Sequence, residues 1–150
     1  ELKPKWFLFE NVRMKPEWLA IISEHLGVQP IRINSKLVTG GLRDRYYRTN
    51  IPNVSIPEDR KITFQSILEN GFVDREKARA LLAGDAYPTK NMEAAFKRYK
   101  STGFGNLVFK TPEFNPEHIR YLSQLEMERL MTVPEGYTNL FNRNQATKLL

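Results

Sequence analysis

The 150-residue sequence contains no cysteine and only two histidines. The absence of cysteine excludes disulfide bonds, thiolate metal sites and a cysteine nucleophile within this segment, and two histidines alone cannot build a zinc site. No apolar run approaches the roughly 20 residues that a membrane-spanning helix needs, and the first residues lack the basic and then apolar order of a signal peptide. We therefore expect a cytoplasmic chain that has no membrane partner.

What the sequence does have is basic charge, with 23 Lys and Arg against 17 Asp and Glu and a net charge of +6 at pH 7. Such a surplus favours a polyanionic partner, because each cation that meets a phosphate releases condensed counterions. Surface charge also keeps proteins in solution, so the surplus alone does not establish nucleic-acid binding. The chain begins with Glu1 and enters an apolar run at once. We expect it to be a monomeric fragment of a polypeptide that begins earlier.

The first 52 residues predict one strand-helix-strand unit of an α/β fold. The apolar run at residues 6–9 predicts a strand buried on both faces of a parallel sheet, and Glu10-Asn11-Val12 follows it directly. Residues 15–27 predict a helix, with a proline in its first turn and a glycine at its end. Extended segments follow over residues 31–38 and 43–51. Glu10 is therefore expected at a strand end, where such units place ligand groups.

Turn residues multiply after residue 52, so residues 53–117 predict a separate, small and mostly irregular lobe. Within this lobe, residues 89–100 predict an amphipathic helix with Met92, Phe96 and Tyr99 inward, followed by a flexible loop over residues 101–106. Order returns in the last segment, where Ser123 and Glu126 have the spacing of a capping box for a helix that runs to about Met131. A turn at 134–137 and a second helical pattern at 144–150 complete the chain.

Three stretches of this sequence together resemble a known enzyme family. Residues 4–12 (PKWFLFENV) and 37–47 (LVTGGLRDRYY) are similar to two conserved motifs of the DNA (cytosine-5)-methyltransferases, and residues 120–137 are similar to that family's ninth motif. The motifs stand in the family's order, and the second and third look especially like those of phage and bacterial restriction-modification enzymes. The resemblance implies a carboxyl-terminal fragment with a partial Rossmann-like methyltransferase sheet. Its catalytic parts would be residues 1–52 and 118–150, truncated before the last motif, and residues 53–117 would be the target-recognition region.

The family's chemistry gives the motif residues their implied roles. Family enzymes add a cysteine thiolate to a cytosine flipped out of duplex DNA, and carbon 5 of the ring then takes the methyl group of S-adenosylmethionine. Glu10 would stabilise the charged ring by sharing or donating a proton near nitrogen 3, and Asn11 would order the strand end. Arg45 would contact the cytosine carbonyl oxygen, and Arg43 would support the flipped nucleotide or the catalytic loop. Two residues apart on an extended segment, the arginines share one face.

Basic residues of the middle region predict contacts with double-stranded DNA. Phosphate contacts are expected from Lys90, Lys97, Arg98 and Lys100, and the loop at 101–106 would reach base edges in a groove. By resemblance, Arg120 would organise the recognition lobe against the catalytic lobe, and it belongs to the same expected DNA-binding set. Plainer interpretations stay open, because arginines on a solvated strand edge protect against aggregation and aromatic residues at helical spacing usually pack in a core.

Two positions depart from the family pattern: Gly41 stands where a glutamine is usual, and Arg48 where an aromatic residue is frequent. The family's cofactor-binding half and its Pro-Cys loop normally precede the Glu-Asn-Val strand, so we expect this segment alone to be inactive. Two other functions remain possible: a non-catalytic or degenerate DNA-binding module, and a basic domain with a protein partner. An upstream Pro-Cys dipeptide would distinguish the first from an active enzyme, and salt-sensitive DNA binding would exclude the second.

Overall fold

The computed structural model of the chain describes residues 4–82, 91–103 and 105–150. These residues form a mixed α/β fold, which confirms the expected class. The helices are α1 (Pro16–Leu26), α2 (Met92–Thr102), α3 (Gln124–Met131) and α4 (Arg143–Leu149), and none of them has the length and apolar character needed to cross a membrane. The strands are β1 (Leu8–Val12), β2 (Ile31–Asn34), β3 (Gly41–Leu42), β4 (Asp44–Thr49), β5 (Ala78–Arg79), β6 (Leu107–Phe109) and β7 (Ile119–Tyr121).

The largest sheet has the strand order β1-β4-β2, and β4 is antiparallel to both neighbours. Strands β1 and β2, which are joined through α1, therefore run parallel to each other with the reversed strand β4 between them. The predicted strand-helix-strand unit is present, but its sheet is mixed rather than parallel. In the register, Glu10 lies opposite Tyr47, and Val12 and Ile33 both lie opposite Arg45.

The expectation that the first strand is buried on both faces is wrong. Strand β1 lies at the edge of the sheet, and the side chains of Leu8 and Val12 are 64% and 52% exposed. An apolar run is a local signal, whereas burial depends on which elements pack beside the strand. Among the residues that the structure describes, β4 is the one strand that pairs with β1. The strand also extends through Glu-Asn-Val, so Glu10 lies at its centre rather than at its end.

Helix α1 agrees with its prediction, because Pro16 occupies the first turn and Gly27 ends the helix with a left-handed backbone at φ 68°. It packs on the sheet through Arg48 of β4, which is wholly buried. Arg48 donates from Nε to the Ser23 hydroxyl at 3.2 Å and from Nη2 to the Leu19 carbonyl at 3.0 Å. Helix α1 therefore covers the sheet face that carries Arg48.

In the described part of the chain, two apolar clusters form the core, and both contain residues of the middle and the last segment. The larger one contains Phe64, Ile67, Ala78, Val108, Leu122, Met127 and Leu130, and the smaller one contains Tyr99, Leu107, Phe109 and Ile119. Strand β6 pairs with β7, so the predicted boundary between residues 117 and 118 falls inside a hairpin. The middle region and the last segment pack as one unit within the described residues.

The later helices follow their predictions closely, whereas the loop at 101–106 does not. Helix α2 starts after Asn91, with Phe96 and Tyr99 directed into the smaller core cluster as expected. Residues 101 and 102 continue this helix, and Gly103 ends it in a left-handed conformation. Asn106 is buried, so the segment is not the free loop predicted, although residue 104 lies outside the described residues.

Both helices of the last segment start with a complete capping box. The Ser123 and Glu126 box starts α3, which ends at Met131 as predicted, and Asn142 with Gln145 forms a second box before α4. The turn between them is also present, with the Tyr137 amide donating to the Pro134 carbonyl at 3.1 Å. The Tyr137 side chain does not pack in that turn as expected, because it is 61% exposed.

Candidate active site

Glu10, Arg43 and Arg45 converge on one face of the largest sheet. Nε of Arg45 lies 2.8 Å from Oε1 of Glu10, and Nη2 of Arg43 lies 3.9 Å from the same oxygen. The Arg45 side chain is the most sheltered of the three, at 20% exposed, and its Nη1 donates to the Asp44 carbonyl at 2.9 Å. The cluster faces away from α1, since side chains alternate along β4 and Arg48 is directed to the helix.

The remaining residue of the Arg43-Asp44-Arg45 triplet lies on the opposite face. Asp44 accepts two hydrogen bonds from Nε of Arg32 at 3.0 and 3.1 Å and one from its Nη2 at 2.6 Å. These bonds from Arg32 hold the pKa of the Asp44 carboxyl below its usual value. The alternation predicted from the sequence is thus present, and it separates Asp44 from the cluster around Glu10.

Asn11, a further predicted site residue, is not brought to the cluster. It follows Glu10 in β1, so its side chain lies on the other face of the strand. Its Oδ1 accepts a hydrogen bond from the backbone amide of Val12 at 2.7 Å. The contact agrees with a local ordering role near the strand and involves neither Glu10 nor the arginines.

The backbone before Arg43 is fixed by two hydroxyl side chains that the sequence did not single out. Ser35 donates its hydroxyl to the Gly41 carbonyl at 3.0 Å, and its amide donates to the Arg43 carbonyl at 3.0 Å. The Thr39 hydroxyl accepts from the Gly41 amide at 2.9 Å and lies 3.2 Å from the Gly41 carbonyl oxygen. Nothing in the sequence pattern distinguishes such hydroxyls from ordinary turn residues.

Both glycines of this turn lie in close contact with other segments. A Cβ atom on Gly40 would lie 2.8 Å from the Thr63 carbonyl oxygen, and one on Gly41 would lie 2.8 Å from Cδ1 of Leu130. The turn that carries Arg43 therefore sits directly against the middle segment and α3. At position 41 the contact is with the end of the flexible Leu130 side chain, which can shift, whereas at position 40 it is with a backbone oxygen.

The cluster has unused hydrogen-bonding capacity. Oε2 of Glu10 and Nη2 of Arg45 make no hydrogen bond with any residue that the structure describes. Glu10 is 41% exposed, and an ion pair that solvent reaches contributes only about 0–1 kcal/mol to stability. A ligand that replaced part of this ion pair would therefore sacrifice little stabilising free energy. Side by side, a carboxyl group and a guanidinium fit a ring edge that combines a ring nitrogen with a carbonyl oxygen.

Arg120 belongs to a hydrogen-bond network that links the start of α3 to the segment at residues 69–70. Its Nη1 and Nη2 each lie 2.7 Å from a carboxylate oxygen of Glu126, and Nη2 also donates to the Asn70 carbonyl at 2.6 Å. Glu126 is wholly buried and accepts two further bonds, from the amides of Ser123 and Glu69, both at 2.9 Å. This geometry fits the expected organising role of Arg120, and direct DNA contact by Arg120 stays a prediction.

The charge state of this network follows from its hydrogen bonds. Burial alone would raise the pKa of the Glu126 carboxyl, but the bonds from Arg120 and from the two backbone amides together lower it. The pKa of Arg120 is raised in turn by its hydrogen bonds to Glu126. The pair therefore stays ionised, and it fastens α3 to the segment at residues 69–70.

The predicted phosphate-contacting residues lie on the outer surface of α2 where they can be placed. Lys97 and Arg98 are exposed, and neither makes an ion pair with another described residue. Lys100 is 57% exposed, 4.0 Å from Asp74, and its Nζ lies over the Phe96 ring. Lys90 lies outside the described residues. The helix therefore presents three basic side chains to solvent.

A cavity of about 250 Å³ lies beside the cluster and is bounded by β3, β5 and the end of α3. Arg43 and Arg79 are its charged lining residues, and the other lining residues are mostly aliphatic. The lining offers no carboxylate for the sulfonium, the amino group or the ribose hydroxyls of S-adenosylmethionine, so these residues alone do not form a site for that cofactor. Among the described residues, no group of three or more His, Asp or Glu side chains is placed to hold a metal ion.

Comparison with known proteins gives no family for this chain. No protein-family model matches it, and no curated protein is significantly similar to it. The chain's own residues and their geometry are therefore what supports a function.

Proposed function

We propose that this chain is the carboxyl-terminal part of a DNA (cytosine-5)-methyltransferase, and that it activates a flipped cytosine and contacts duplex DNA. The observation that carries the proposal is the 2.8 Å approach of Arg45 to Glu10. The two residues belong to separate motif-like stretches, and the fold brings their side chains to one sheet face. The family resemblance implies that these two side chains meet, whereas a chance likeness of sequence would not require them to.

The proposed roles follow from the hydrogen-bonding groups. The Glu10 carboxyl would share or donate a proton at ring nitrogen 3, which stabilises negative charge on the ring when a nucleophile adds to it. The Arg45 guanidinium would donate to the neighbouring carbonyl oxygen of the same ring. Arg43 would bind the nucleotide from the side of the turn.

We also propose that the largest sheet is part of a Rossmann-like methyltransferase sheet. Parallel strands β1 and β2 joined through α1 form one strand-helix-strand unit. The apolar and exposed edge at β1 suits continuation into the rest of a catalytic domain, which would supply the cysteine nucleophile. S-adenosylmethionine, the methyl donor, would be held mainly by that other part. We propose a monomer in the cytoplasm of a bacterium, encoded by the cell or by a phage.

Exposed Lys97 and Arg98 on α2 support double-stranded DNA as the partner. The same two residues would serve a second candidate function, a DNA-binding module derived from a methyltransferase that no longer catalyses. The two candidates predict the same DNA affinity and differ only in methyl transfer.

The test is the variant Glu10→Gln in the complete polypeptide, assayed for methyl transfer to mixed-sequence DNA and, separately, for DNA binding. Methyl transfer should fall about 10²–10⁴-fold, which is the range of general acid-base contributions. DNA binding should be unchanged or slightly tighter, because the variant removes a negative charge. Glu24→Gln, which makes the same charge change on the exposed side of α1, is the control and should leave both properties unchanged.

Equal losses of methyl transfer and DNA binding in Glu10→Gln would contradict the proposed role. Salt-sensitive DNA binding by a complete polypeptide that never transfers a methyl group would support the second candidate instead.

A further inference from the structure

An open cleft of about 460 Å³ lies between β5 and the end of α2. Two uncharged residues, Leu42 and Gly103, line it together with charged side chains of both signs. The basic residues of the lining are Lys36, Arg75, Lys77 and Arg79, and the acidic ones are Asp59 and Glu76. Because cationic side chains donate hydrogen bonds and carboxylates accept them, a ligand in this cleft meets both kinds of group.

Two of the four cations in the cleft are bonded within the fold. Lys77 donates from Nζ to the carbonyl of Lys36 at 2.7 Å and to that of Ile62. Arg75 donates from Nη1 to the Gly103 carbonyl at 3.0 Å. Lys36 is exposed, and its ammonium group is a point charge on a flexible stem without a preferred direction.

Arg79 is the cation of this cleft whose planar group is free. Its side chain is exposed, and its guanidinium makes no hydrogen bond or ion pair with any residue in the described ranges. Nη2 of Arg79 lies beside the end of α2, 3.9 Å from the place where a Cβ atom on Gly103 would stand. Helix α2 is also the helix that presents Lys97 and Arg98 to solvent, so Arg79 borders the surface that we propose for DNA.

The backbone of Arg79 is held from both sides. Strand β5 pairs in parallel with β3, which puts Arg79 opposite Leu42. On the other side, the Arg79 amide donates to Oδ1 of Asn106 at 2.8 Å, and Nδ2 of Asn106 donates to the Arg79 carbonyl at 2.9 Å. Asn106 is only 4% exposed. The guanidinium therefore projects from a fixed backbone, as the recognition of a base edge requires.

The acidic residues of the cleft favour a base edge over a phosphate as its ligand. Neither Asp59 nor Glu76 forms an ion pair with another residue that the structure describes, so their negative charges are not balanced in this way. These charges would repel the oxygens of a phosphate group. A base pair in the major groove is uncharged and presents acceptors and amino donors side by side, which suits a lining of both signs.

We propose that Arg79 reads a guanine of the DNA recognition sequence in the major groove. The inference rests on the proposed function, because it requires contact with duplex DNA. The planar guanidinium offers two parallel N–H donors, and O6 and N7 of guanine are the adjacent acceptors that match them. Arg79 sets sequence specificity in this arrangement, and it does not touch the reacting cytosine.

The test selects duplexes with a randomised segment by their binding to the complete polypeptide, and it compares the wild type with Arg79→Ala. The wild type should enrich a sequence that contains a guanine. Arg79→Ala should lose the preference for guanine at one position by roughly 5–150-fold, the discrimination that one bidentate contact supplies. Preferences at the other positions should be retained.

Arg98→Ala is the matched control, because it makes the same substitution at an exposed arginine of α2. As a proposed phosphate contact, Arg98 should affect all duplexes alike. Its loss should flatten the plot of log association constant against log salt by about 0.9 and leave the selected sequence unchanged. Arg79→Ala should leave that slope unchanged and should unfold at the wild-type temperature, since the guanidinium bonds to no described residue.

The outcomes separate this inference from the proposed function. A uniform loss of affinity in Arg79→Ala, with a flatter salt plot, would mean a phosphate contact and would overturn the inference. An unchanged preference at every position of the selected sequence would also overturn this inference alone. A wild-type polypeptide without salt-dependent DNA binding would overturn both the inference and the proposed function.

Discussion

Replacing Glu126 by glutamine tests the network that joins α3 to the middle of the chain. The buried carboxylate accepts four hydrogen bonds, two from Arg120 and one each from the amides of Ser123 and Glu69. Glutamine has the same shape but a single acceptor oxygen, and its amide nitrogen would turn N–H groups toward other donors. Half of the bonds would be lost, and the Arg120 charge would lose its counter-ion. We expect a cost of about 2–4 kcal/mol.

Glu126→Gln should leave the helix cap of α3 intact. In α4 the corresponding position of the capping box is filled by Gln145, whose side-chain oxygen accepts from the Asn142 amide at 3.1 Å. A glutamine therefore performs the cap, and the loss should come from the contacts with Arg120 and Glu69.

Urea unfolding of wild type and Glu126→Gln, followed by circular dichroism, measures this cost. In thermal unfolding of a chain of this size, a destabilisation of about 3 kcal/mol corresponds to a fall of roughly 6–12 °C in Tm. Glu117→Gln, an exposed substitution outside the network, is the control and should change stability by less than about 0.5 kcal/mol. A loss below about 1 kcal/mol in Glu126→Gln would refute the reasoning, because it would show that the buried pair does not fasten the two segments.

Three further predictions follow from other contacts. Hydrogen bonds from Thr138 lower the pKa of Glu128, and the pKa of Glu126 is also lowered. The two carboxylates therefore contribute fully to the free energy of unfolding above the unfolded carboxyl pKa of about 4.3. That contribution is lost as pH falls through their lower pKa values in the folded state. Tm measured against pH should be level above about pH 5 and should fall steeply below about pH 4. Arg48→Met should leave the urea midpoint unchanged or slightly raised, because buried Nη1 of Arg48 has no partner in the described residues; a loss above about 2 kcal/mol would contradict this. Gly40→Ala should cost about 1–3 kcal/mol in the same assay, since its Cβ would meet a backbone oxygen, and wild-type stability would show that the turn is less tightly packed.

Local signals predicted the helices well. Pro16 and Gly27 mark the ends of α1, and the Ser123–Glu126 capping box marks the start of α3. Each acts within one helical turn, so neighbouring residues in the sequence are enough to predict it. The βαβ order of the first segment was also predictable from periodicity. The position of β4 between its neighbours was not, because strand pairing depends on partners far apart in the chain.

Side-chain alternation and the family resemblance were enough to predict which residues form the candidate site. Glu10, Arg43 and Arg45 were named from the sequence, and the structure brings them together. Burial was not predictable in the same way. Residues 6–9 are apolar but lie along an exposed sheet edge, whereas the charged side chain of Arg48 is buried under a helix.

The central claim is that Glu10 and Arg45 act on one pyrimidine ring, and a double-mutant cycle in the complete polypeptide tests it most directly. We expect Glu10→Gln and Arg45→Gln each to lower kcat/KM for DNA methylation about 10²–10³-fold. Because groups that act on the same ring as a unit are strongly non-additive, the double variant should be less than about tenfold slower than the slower single variant. Losses that multiply in the double variant would show that the two residues act independently, and would contradict the account.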